Sequence, residues 1–209
     1  MLAGVVAGVL LPMLAARARE GSLFADTALR DLSLSVAALG AVGSGLLIAL
    51  ATPLAKVIGG SKLAPSDEYL QALAPMVAIL FLAFLLSYAH LAMGMGARYL
   101  RINVVALAIT VAWNAAFTLT IGADATARVA WITELAVVVM AFAPAWRAAP
   151  WARVTALRLG ALVGLTVVGA ELAARELVPP VLAGALVVVA VLALERRRLL
   201  SLVAQVRAS

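Results

Sequence analysis

The chain of 209 residues is 66% hydrophobic and only 12% charged, with a mean hydropathy of +1.12, far from the composition of soluble globular domains. No cysteine and a single histidine exclude a disulfide framework, a thiolate metal site and a cysteine nucleophile, and leave little for metal or acid-base chemistry. The net charge of +6 does not point to nucleic acid, because the basic residues sit between apolar runs, where they orient helices against anionic lipid. Those runs, mostly Ala, Leu and Val, lack the period-two alternation of a membrane barrel. The expectation is therefore an all-α integral membrane protein: one bundle of about seven transmembrane helices and no cofactor.

The first apolar stretch, about 2–16, is short of the roughly twenty residues that cross a bilayer, and it reads as the end of a span whose start is missing. A polar connector from Arg17 to Asp31 carries Leu23, Phe24, Leu29 and Leu32 at the spacing of one side of a surface helix. The second span, about 32–58, contains Gly40, Gly43 and Gly45, a smooth face for another helix, and Pro53, expected to bend its outer end. A glycine turn follows, with Ser66 or Asp67 as cap, and the third span covers about 70–96.

The fourth and fifth spans, about 100–121 and 125–146, form a hairpin turning at Gly122 to Asp124, with Asp124 placed to cap the second helix. The sixth covers about 154–174 and the seventh 178–195, opened by Pro179 and Pro180 and stopped by Arg196, Arg197 and Arg198. The tail from Leu199 to Ser209 is expected on the membrane surface. Gly4 with Gly8 and Gly160 with Gly164 have GxxxG spacing and are expected to pack within the bundle. Trp146, Trp151, Tyr69 and Tyr99 suit aromatic belts at the two interfaces.

Of the sixteen Lys and Arg residues, Arg17, Arg19, Arg30, Arg98, Arg101, Arg147, Arg153, Arg158, Arg196, Arg197, Arg198 and Arg207 fall on one side of seven alternating spans. Only Lys56, Lys62, Arg128 and Arg175 fall on the other. The asymmetry puts the start outside and the C-terminus in the cytoplasm.

Polar residues inside the spans are the candidate sites. Glu134 and Asn114 face the same hairpin at what looks like similar depth, so Glu134 is either a proton or substrate contact on a cavity wall or an acid hydrogen-bonded to Asn114 that holds the hairpin together. His90, near the cytoplasmic end of the third span beside Tyr88, reads as an interfacial residue or a proton relay. Arg98 and Arg101 bracket a short connection, where their guanidinium groups could bind a phosphate or simply set topology. Glu171, Arg175 and Glu176 form an interfacial charge cluster.

Three blocks carry a family resemblance: LLPMLAARAREGSLFADTALRDL (Leu10 to Leu32), ATPLAKVIGGSKLAPSDEYLQALAPM (Ala51 to Met76) and WNAAFTLTIGADATARVAWITEL (Trp113 to Leu135). In this order they resemble the C-terminal half of bacterial polysaccharide and oligosaccharide flippases of the multidrug/oligosaccharidyl-lipid/polysaccharide exporter superfamily. The resemblance implies one lobe of a larger transporter in the bacterial inner membrane, exporting an undecaprenyl-pyrophosphate-linked glycan by alternating access, with an N-terminal lobe or a partner chain completing the cavity. Family members commonly have fourteen spans with both termini in the cytoplasm, so their last seven would begin outside and end inside, as the charges independently suggest. No ATP-binding loop is present, so an ion or substrate gradient would drive transport. Alternatives are a multidrug exporter of the same superfamily, a membrane-embedded transferase and a glycan-assembly scaffold. The acids are scattered one per loop, which speaks against an enzyme.

Overall fold

The computed structural model describes residues 2–60, 66–120 and 123–208. Among the described residues the chain folds into seven α-helices: α1 (Leu2–Glu20), α2 (Thr27–Gly59), α3 (Asp67–Ala92), α4 (Gly96–Thr120), α5 (Ala123–Ala148), α6 (Ala152–Ala174) and α7 (Pro180–Ala208), with a 3₁₀ turn at Leu23–Ala25. Five of them, α2 to α6, are long and apolar enough to cross a membrane. The chain is an all-α, multi-pass membrane protein, as its composition requires: in hydrocarbon each backbone amide and carbonyl must find a partner within its own segment.

Helix ends follow local chemistry. At the end of α3, Gly94 adopts φ +69, and the amides of Met93 and Met95 reach the carbonyls of Ala89 and His90 at 3.1 and 2.7 Å. Glycine suits this left-handed position because a Cβ there crowds the following carbonyl. Pro180 opens α7, where no intrahelical amide is required. The described part of α5 begins at Ala123, one residue before the expected cap Asp124. The turn residue Gly122 and Lys62 lie outside the described residues.

Two expected elements are built differently. The connector from Arg17 to Asp31 is not a surface helix: α1 runs on through Arg17 and Arg19 to Glu20, and the 3₁₀ turn tucks Leu23 and Phe24 inward, both at most 2% exposed. Asp26 accepts the amide of Ala28 at 2.8 Å and pairs with Arg17 at 3.2 Å, closing the connector onto the ends of α1 and α2. The arginine triplet does not stop the last helix either, since α7 continues through it to Ala208. Arg and Leu are both good helix formers, so leaving an apolar layer does not oblige a helix to end. Pro53 lies inside α2, near the outer end of the helix, which closes at Gly59, close to the expected end of the span.

The helices divide between two compact units, each made of two chain stretches, and α2, α3 and α6 contribute one part of their length to each. The first unit comprises Met1–Ala37 and Ile79–Gly160. Here α4 packs along α5, and the 3₁₀ turn contacts both α1 and α5. Phe142 meets Trp146 and Trp151 edge-on, with centroids 6.3 and 6.1 Å away. The Trp151 indole donates to the carbonyl of Ala25 at 3.2 Å, tying the α5–α6 junction to the 3₁₀ turn. Trp151→Phe keeps the ring and removes this bond, so a loss of roughly 0.5–1 kcal/mol in unfolding free energy is expected from chemical denaturation in detergent. An unchanged midpoint would show that the bond contributes nothing.

The second unit comprises Ala38–Ala78 and Ala161–Ser209. Its helices approach through glycines, as in membranes generally, where lipid tails remove the hydrophobic drive and close van der Waals contact must replace it. A Cβ at Gly184 in α7 would collide with the carbonyl oxygen of Gly45 in α2 and lie 2.7 Å from the Ala49 Cβ. A Cβ at Gly43 would come within 3.3 Å of Val77 in α3, and one at Gly169 in α6 would meet Val187 in α7. The expected glycine face of α2 is therefore used, by α3 and α7. The GxxxG pair in α6 is not, because a Cβ at Gly160 or Gly164 would touch nothing within 4 Å.

Candidate functional site

Most buried hydroxyls are satisfied within their own helix. Ser33 donates to Leu29, Ser44 to Gly40 and Thr166 to Val163, at 2.7, 3.0 and 2.7 Å. Such back-bonding makes them inert as sites. Three buried polar atoms among the described residues have no partner: Gln71 Oε1, His90 Nε2 and Trp113 Nε1. Membrane interiors penalise that condition, so these positions stand out.

Trp113 belongs to the α4–α5 hairpin. Its ring stacks on Phe117 one turn later, with centroids 4.3 Å apart. Asn114 follows it, half-buried, and Glu134 is half-buried in α5 next to the buried Thr133. Asn114 lies six residues before the end of α4 at Thr120, whereas Glu134 lies eleven beyond the start of α5 at Ala123. At about 1.5 Å per residue the two are offset along the hairpin by roughly 7 Å, not level as their spacing suggests. The described hydrogen bonds include none between them. What ties the hairpin near its turn is a contact between the hydroxyls of Thr118 and Thr126 at 3.1 Å.

The hairpin's surroundings sharpen its interest. Only 11% of the apolar stretch of α4 is buried, against 33% to 50% in the four other candidate spans. Leu100, Val104, Leu107, Val111 and Leu119 are all more than half exposed. Most of α4 is thus uncovered by this chain, yet it carries an amide and an unpartnered indole N–H where a helix facing only lipid has no use for either.

His90 does not face solvent. It is fully buried in the last turn of α3, its ring against Phe24 (centroids 5.0 Å, edge-on) and Tyr99 (5.5 Å). Nδ1 lies 2.8 Å from the carbonyl of Leu86, and since a carbonyl only accepts, Nδ1 carries the proton. Nε2 is left without a partner. The sequence did not indicate this cage, because Phe24 is far away in the chain and Tyr99 reads as an interfacial residue. Arg98 and Arg101 sit in the first turns of α4, Arg98 half-buried and Arg101 exposed, with no acid paired to either among the described residues.

The structure therefore brings His90 together with Phe24 and Tyr99, whereas Asn114 and Trp113 on α4 and Glu134 on α5 belong to one packed hairpin without meeting. The expected charge cluster is partly real: Arg175 pairs with Glu171 at 2.9 Å, while Glu176 takes a left-handed φ of +55 just beyond α6. No group of three or more acidic or histidine side chains able to hold a metal occurs among the described residues. Compared with family models, curated proteins and solved structures, the chain matches none of them.

Proposed function

We propose that this chain is the C-terminal lobe of a flippase of the multidrug/oligosaccharidyl-lipid/polysaccharide exporter superfamily, moving an undecaprenyl-pyrophosphate-linked glycan across the bacterial inner membrane by alternating access. In this reading α1 to α7 are seven spans, the first begins outside, and α7 carries Arg196 to Arg198 into the cytoplasm. The charge asymmetry and the order of the three resembling sequence blocks support it. So does the scarcity of acid-base and metal chemistry, which disfavours a transferase.

One observation carries the proposal furthest: α4 is largely uncovered yet holds Asn114 and Trp113 in its apolar length and packs on the helix bearing Glu134. That is the pattern of a helix lining a polar cavity that a second lobe completes. Arg98 and Arg101 then stand at its cytoplasmic mouth, where guanidinium groups suit a pyrophosphate.

Deleting the coding segment in frame is the direct test. Loss of surface glycan with accumulation of the lipid-linked precursor on the cytoplasmic face is the expected result, reversed by restoring the segment. Normal surface glycan and no precursor build-up would overturn the reading.

A further inference from the structure

We propose that His90 is the catch of a proton-released latch: its neutral ring holds the 3₁₀ turn Leu23–Ala25 against the end of α3 and the start of α4, and a second proton on Nε2 frees that turn. All of these parts lie in the first unit.

The turn is fastened at several points. Leu23 and Phe24 are buried, with Phe24 edge-on to the histidine ring, and the carbonyl of the next residue, Ala25, accepts the Trp151 indole N–H from the α5–α6 junction. Asp26 then closes the connector, pairing with Arg17 of α1 and accepting the amide of Ala28 at the start of α2. Of these fastenings, only the contact with His90 uses a group that ordinarily changes charge near neutral pH.

The cage is built for one proton on the ring and not for two. Nδ1–H donates to the Leu86 carbonyl at 2.8 Å, and Nε2 of the fully buried residue has no partner. An imidazolium there would add a charge and an N–H without an acceptor, and a buried site pays heavily for both. The surrounding groups bring no relief. On α3, no charged residue lies between Glu68 and His90, and the adjacent Tyr88 is a neutral phenol. From α4, Arg98 places a like charge close enough to act on the ring, and Tyr99 contributes a second phenol. In the connector Asp26 is already engaged, while Glu134 of α5 acts on the Tyr99 hydroxyl and not on the histidine. Cation–π attraction to Phe24 or Tyr99 is weaker than the hydration that a buried cation loses. The closed cage therefore accepts only the neutral ring, whereas a lifted turn lets water solvate either form, so acid shifts the balance towards release.

The latch does not depend on the export reading. One histidine and no cysteine in the chain let both of its ends be followed without ambiguity. The test uses the full chain, carrying no polyhistidine tag, in nanodiscs of phosphatidylcholine and phosphatidylglycerol. NMR of isotope-labelled histidine counts the protons on His90. Maleimide labelling of Leu23→Cys reports exposure of the turn, divided by the rate for the exposed Ser22→Cys to cancel the pH dependence of the thiol. At about pH 7.5 the ring should carry one proton, on Nδ1; on acidification through the ordinary histidine range to about pH 5, a doubly protonated signal should appear in step with a roughly fivefold or greater rise in the labelling ratio. His90→Gln does not titrate and should hold the ratio constant over the same range, and His90→Phe, which fills the cage with an apolar ring, provides a second variant should the first misfold. A ring that gains its proton while the ratio stays flat, a ring still singly protonated at the acid end, or the same rise in a well-folded variant would overturn the latch.

Discussion

Gly184→Leu is expected to destabilise the protein by about 3 kcal/mol, the upper end of what overpacking costs in a well-packed core. Even the first atom of the new side chain would meet the backbone carbonyl of Gly45, with the Ala49 amide nitrogen 2.8 Å away. A side chain could rotate aside, but a carbonyl held in the hydrogen-bond ladder of α2 cannot. The helices must therefore separate, losing contact along the crossing, and in lipid no hydrophobic gain compensates for that loss. Unfolding in detergent, followed by circular dichroism against a denaturant, measures the effect. Gly164→Ala is the control, since a Cβ there meets nothing within 4 Å. Higher helix propensity should leave that variant unchanged or more stable by up to about 1 kcal/mol. Equal stability of Gly184→Leu and Gly164→Ala would mean that α2 and α7 do not cross at these glycines.

On the export function proposed above, Glu134→Gln is expected to keep the fold and to reduce glycan export at least tenfold, about 1.4 kcal/mol in the rate-limiting barrier. The substitution preserves size and hydrogen-bonding capacity while removing the ability to carry a charge or a proton. If Glu134 were only a fastener between helices, glutamine would serve nearly as well. The fastening partner that the chain spacing suggested, Asn114, is offset from Glu134 by roughly 7 Å along the hairpin, more than one helical pitch, so the two are not placed to hold each other. The measurement is precursor translocation in proteoliposomes containing the complete transporter, with monodispersity and helicity of the variant checked first. Export at the wild-type rate by a well-folded Gln variant would assign Glu134 to structure alone.

His90 shows why part of the candidate site was not legible. Its position near a helix end beside Tyr88 suggests an interface, where a histidine keeps its head in water. Yet the residues that enclose it, Phe24 and Tyr99, come from the 3₁₀ turn and the start of α4. Leu23, Phe24 and Leu29 do have the spacing of a one-sided apolar face, but periodicity reports only that a face is to be buried. It does not say whether lipid or protein will bury it. The same ambiguity separates the glycines: Gly45 and Gly164 look alike in the chain, and only the first has another helix against it.

The sequence by itself determined the class and the segmentation. Composition demanded a membrane protein, and the need to satisfy backbone groups within hydrocarbon demanded helices, so the breaks at Gly59 to Ser66 and Ala149 to Trp151 marked where helices end, while the break expected after residue 96 falls earlier, at Met93 to Met95. These are local constraints, each settled within a few residues. The tertiary structure decided the rest: which glycines mediate contact, that the connector folds inward, that Asn114 and Glu134 are out of register, and that Phe24 and Tyr99 enclose His90. In a chain so uniformly apolar, every helix face is acceptable to lipid, and hydrophobicity cannot rank one pairing above another. Close packing and the placement of a few polar atoms make that choice, and both depend on residues distant in the chain.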